Sequence, residues 1–70
     1  MKLGDMIIEA ARKHAEGELA VAKANVEVYR TMSAGIGEHS DITEAVIAEL
    51  DKMAAAQDRL DIIEKYFTKS

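Results

Sequence analysis

Two histidines and thirteen carboxylates are the groups through which this 70-residue chain could do chemistry, and their spacing decides how much. His14 and Glu18 lie four apart, so on a helix an imidazole and a carboxylate share one face and could share a metal ion. Di-metal sites in bundles need a Glu-x-x-His unit and several more inward carboxylates, and the sequence has no such unit. The simpler reading is a histidine paired with a carboxylate at the edge of a helix face. Glu38 and His39 are the second pair, in a stretch that reads as a loop, where functional polar groups concentrate. General acid or base work also needs a cleft, and two helices offer little concavity. We therefore expect no catalytic residue, no enzyme and no cofactor; Gly35, Ile36, Gly37, Glu38 and His39 are instead a candidate partner-binding loop. Gly35-Ile36-Gly37 is not a phosphate loop, which would follow a strand and carry further glycines and often a lysine.

The elements that position these groups follow from one interruption. Proline is absent and alanine, glutamate, lysine, leucine and isoleucine abound, so the chain favours helix except over residues 33–40. Gly35 stands where a left-handed residue can close a helix, Ile36 can tuck against the last turn, and Gly37 eases the reversal. Ser40 and Asp41 are good N-cap residues, and Asp41 with Glu44 resembles a capping box. The expected fold is all-α: one helical-hairpin domain over residues 1–70, with helices over about 4–33 and 41–67 and a loop over 34–40. A connection this short makes the helices antiparallel neighbours.

Apolar spacing then predicts which faces meet. In the first helix Ile8, Ala11, Ala15, Leu19, Ala22, Val26 and Tyr29 form a seam, flanked by Ile7, His14, Glu18, Val21, Asn25, Val28 and Met32. Asn25 in that flank reads as a register-setting polar residue. Gly17 costs about 1 kcal/mol relative to alanine in a helix interior, which close approach by a partner helix would explain. In the second helix the seam is Ile42, Val46, Leu50, Met53, Ala56, Leu60, Ile63 and Phe67, beside a row of Ile47, Ala54, Ala55, Ile62 and Tyr66. Its acids, Glu44, Glu49, Asp51, Asp58, Asp61 and Glu64, read as a solvated face or as a docking surface for a basic partner. These arcs are wider than one pair of helices can bury. Two hairpins dimerising into a four-helix bundle would cover both rows, with Val21, Val28, Ile47, Leu50, Met53, Leu60, Ile63, Tyr66 and Phe67 at the oligomer interface.

Charge and cysteine usage bound the partners. The net charge is -4, and the whole excess lies in residues 34–70, so a nucleic-acid partner is not expected. No apolar run spans a bilayer and Met1-Lys2-Leu3-Gly4-Asp5 does not open a signal peptide, so a soluble protein is expected, with no membrane partner. The absence of cysteine fits a reducing compartment and rules out a disulfide or a thiolate metal site.

Ala24-Asn25-Val26-Glu27-Val28-Tyr29, Gly35-Ile36-Gly37-Glu38-His39-Ser40-Asp41-Ile42, Glu49-Leu50-Asp51-Lys52 and Glu64-Lys65-Tyr66-Phe67 together resemble a set of small uncharacterised proteins of marine contractile-tailed phages, cyanophages among them. The Gly-Ile-Gly-Glu-His-x-Asp-Ile loop carries most of the resemblance. In that pattern an Asn-Pro pair often precedes the loop and a proline follows the histidine, where this chain has Ser33-Ala34 and Ser40. The resemblance implies a viral origin, in the host cytoplasm or the virion, and no mechanism. The leading expectation is thus a non-enzymatic, homo-oligomeric interaction or assembly module, in touch with itself and with a host or phage protein. The alternatives are an adaptor or inhibitor that docks through the acidic second helix, and a metal- or ligand-binding bundle using His14, Glu18 and Asn25.

Overall fold

A computed structural model describes residues 2–32 and 39–68. Two helices account for nearly all of them: α1, Leu3–Met32, and α2, His39–Tyr66, packed side by side, with no strand among the described residues. Each helix opens on an acid and closes on a base, Asp5 and Arg30 in α1 and Asp41 and Lys65 in α2, the order that complements the helix dipole. Near the end of α1, Thr31 donates its hydroxyl to the carbonyls of Glu27 and Val28, at 2.8 and 2.9 Å. Beyond α2, the Phe67 amide and the Thr68 hydroxyl both donate to the Ile63 carbonyl, at 2.9 and 3.2 Å. Among the described residues α2 begins at His39, so Asp41 lies in its first turn, and the side chain of Ser40 lies outside the described residues. Residues 33–38, and with them the expected roles of Gly35, Ile36, Gly37 and Glu38, lie outside the described residues, as does the side chain of His39.

The two helices meet along strict alternating steps of four and three. On α1 the inward positions are Ile8, Arg12, Ala15, Leu19, Ala22, Val26 and Tyr29; on α2 they are Ile42, Val46, Glu49, Met53, Ala56, Leu60 and Ile63. That is the 3.5-residue repeat of a coiled-coil seam. It corrects the expected seams at three places. Ala11 is exposed and Arg12 takes its position; Leu50 is 48% exposed and Glu49, at 9%, takes its position; Phe67 is 57% exposed beyond the end of α2. The physical reason is that a facing helix selects positions by period, whereas the expected line bent toward whichever neighbour was apolar.

The resulting core is thin. Ala15, Ala22, Ala56 and Ile63 are its buried apolar residues, and no large side chain among the described residues is fully buried. Alanines at Ala15, Ala22 and Ala56 bring the backbones close but bury only methyl groups. The molecule is 53 Å long and 16 × 15 Å across, with a radius of gyration of 16.0 Å. A compact chain of this length would have about 11 Å.

The flanks are laced by short-range ion pairs. Glu9 is shared by Arg12 at 3.2 Å and Lys13 at 3.8 Å, Lys13 also approaches Glu16 at 4.0 Å, and Glu27 meets Arg30 at 2.7 Å. Such exposed pairs contribute roughly 0–1 kcal/mol each. No helix among the described residues is long and apolar enough to cross a membrane.

Candidate functional site

Along one side of the hairpin the helices leave a groove of about 540 Å³, whose walls include His14, Gly17, Glu18, Val21 and Asn25 of α1 and Glu49, Lys52, Ala55 and Arg59 of α2. His14, Glu18, Val21 and Asn25 fall there because they sit one position before the seam, and a step of one residue turns a helix by about 100°. The groove therefore collects the polar flank of α1 together with Val21, and it faces a charged stretch of α2.

Two carboxylates organise the polar groups, each taking one partner from its own helix and one from the other. Glu18 accepts from Arg59 of α2 at 2.6 Å and lies 3.4 Å from His14 Nε2, one turn earlier on α1. Glu49 accepts from Asn25 Nδ2 of α1 at 3.2 Å and from Lys52 Nζ at 3.3 Å, one turn later on α2. The hydrogen bond from Asn25, followed by the hydrogen bond and charge of Lys52, holds the Glu49 carboxyl below its ordinary value, against the partial desolvation that pushes it up. No buried side-chain nitrogen or oxygen among the described residues lacks a partner.

The structure thus brings His14 and Glu18 together, but commits Glu18 to a guanidinium as well. Among the described residues no group of three or more His, Asp or Glu side chains could hold a metal ion. The Asn25–Glu49 contact was half legible. Asn25 reads as a register-setting residue from sequence, and the structure puts it 3.2 Å from a carboxylate on the facing helix. Glu49, read as part of the acidic surface, is the residue missed. The signal for it was its place in the four-three steps between Val46 and Met53.

The second feature is bare apolar surface. Leu3, Met6, Ile7, Val21, Val28 and Met32 on α1, Ile47, Leu50, Ile62 and Tyr66 on α2, and Phe67 just past it are all about half exposed or more. Of the residues expected at an oligomer interface, Val21, Val28, Ile47, Leu50, Tyr66 and Phe67 are among these, while Met53 and Leu60 are half-buried and Ile63 is buried in the hairpin's own seam. Gly17 is unexplained within the hairpin, since a Cβ built on it meets nothing within 4 Å. Protein-family models, curated proteins and solved structures offer no match to this chain.

Proposed function

We propose that this protein is a non-enzymatic helical module that works by assembling with copies of itself, two hairpins pairing their bare faces into a four-helix bundle. The observation that carries this reading is the surface. The chain exposes 5354 Å², whereas a compact folded protein of 7.7 kDa exposes roughly 4,300 Å². The surplus of roughly 1,000 Å² matches what each partner buries in a standard protein interface, about 800 Å². A core of three alanines and one isoleucine is a weak counterweight to the entropy of ordering seventy residues. Pairing would supply the missing burial.

The resemblance of the loop and its flanks to marine phage proteins is what supports, within this proposal, an infected bacterial cell or the phage particle as the place of that work. The test is the concentration dependence of thermal unfolding followed by helicity. A folded state held together by self-association melts at higher temperature as protein concentration rises. A melting temperature unmoved over a hundredfold range of concentration would sink the reading.

A further inference from the structure

Resting on that reading, we infer that the contact between copies is made by α1 against α1 of the second copy, running antiparallel, along the row Leu3, Ile7, Ala10, His14, Gly17, Val21, Ala24 and Val28. These eight positions repeat in the same four-three steps as the seam inside the hairpin, and every one of them is exposed. The α1 helix therefore carries two coiled-coil seams, one filled by α2 and one bare, and at about 100° per residue they lie roughly 140–150° apart, so α1 would stand between α2 and the second copy's α1 with the four helices in a layer. The bare row runs roughly 37 Å, at 1.5 Å per residue, nearly the whole helix.

The residues of the row say what covers it. Leu3, Ala10, Gly17 and Ala24 occupy one position of the repeat, small at all but Leu3 at the end of the row, and Ile7, His14, Val21 and Val28 occupy the other. An antiparallel pair sets each position of one kind opposite the other kind, so every small residue receives a larger side chain of the second copy. A parallel pair would set small against small and large against large, leaving voids and clashes in alternate layers. The row is its own complement only when reversed.

Gly17 gives an independent reason, because nothing in the hairpin comes near it, yet a partner backbone at the middle of the row would need its missing side chain. The corresponding edge of α2 is a poorer match, since Lys52 and Arg59 flank Ala55 where it borders the groove. The row on α1 carries no carboxylate, lysine or arginine.

The experiment places a single nitroxide label on the otherwise cysteine-free chain, once at Asp5→Cys and once at Ala20→Cys, and measures the distance between the two copies. A two-fold axis crossing α1 near Gly17 makes the Asp5 distance longer than the Ala20 distance by more than about 10 Å, because the helix ends point apart. Equal distances would mean that the axis runs along the helices, and would overturn the antiparallel pairing while leaving self-association standing. Labelled variants that give no inter-copy distance, together with a wild-type chain of monomeric mass, would overturn both. Gly17→Leu adds the second reading: helicity is kept and self-association falls at least tenfold, whereas association at wild-type strength would contradict close approach at this row.

Discussion

The two faces of α1 are built alike and end differently. The inner seam, through Ala15, Leu19, Ala22 and Val26, and the outer row, through His14, Gly17, Val21 and Ala24, follow the same four-three steps and mix small residues with larger ones. Ala15 is fully buried on the first, while Val21 is 63% exposed on the second. Small residues at regular spacing are a demand for a neighbour, and α2 meets only one of the two demands. The same helix thus displays one contact in place and, in our reading, one awaiting a partner.

Substitutions can push that comparison in either direction. The largest effect belongs to the filled seam: Ala22→Leu forces a larger side chain into a position that is 1% exposed and costs about 1–3 kcal/mol of overpacking. A thermal melt of the variant should show a fall of roughly 4–8 °C per kcal/mol for a domain of this size. An unchanged melt would mean that the helices do not touch there. Next comes the bare row. Val21→Asp should leave the α1–α2 seam intact and weaken self-association by at least tenfold in a sedimentation experiment, because it would place an unpaired carboxylate in the contact.

The polar groups between the faces should respond to pH. Glu49 titrates below its ordinary value in the folded protein, so the stability it adds is fully present above the ordinary carboxylate range and is lost as pH falls through the lowered folded value. The gap in melting temperature between wild type and Glu49→Gln should therefore be flat from neutral pH down to that range and close below it. A gap that widens in acid would reverse the assignment. The smallest effect is expected at Arg59→Ala, which removes the 2.6 Å contact to Glu18. Both side chains are substantially exposed, so the loss should stay within about 1 kcal/mol and shrink further in high salt.

Much of this was legible in the chain, and the misses have a common cause. Helix composition, the pairing of two helices and the inward positions Ala15, Leu19, Ala22 and Val26 follow from periodicity and propensity. From sequence Glu49 reads as surface and Arg12 falls outside the expected seam, because charged residues rarely face another helix. Arg12 is half-buried and reaches back to Glu9 at 3.2 Å, and Glu49 is tolerated because Asn25 and Lys52 supply hydrogen bonds. Such partnerships exist only once two helices are in register, so no single helix pattern displays them. The Glu18–Arg59 contact, joining residues forty-one positions apart, is beyond sequence reasoning for the same reason.

The central claim is that this hairpin is half of a folded unit, and absolute mass by light scattering behind size exclusion, with circular dichroism on the same fractions, tests it most directly. The account predicts a highly helical dimer at low micromolar concentration, losing helicity as dilution separates the copies. A monomer that keeps its full helicity on dilution would contradict it, showing that the thin α1–α2 seam is enough on its own.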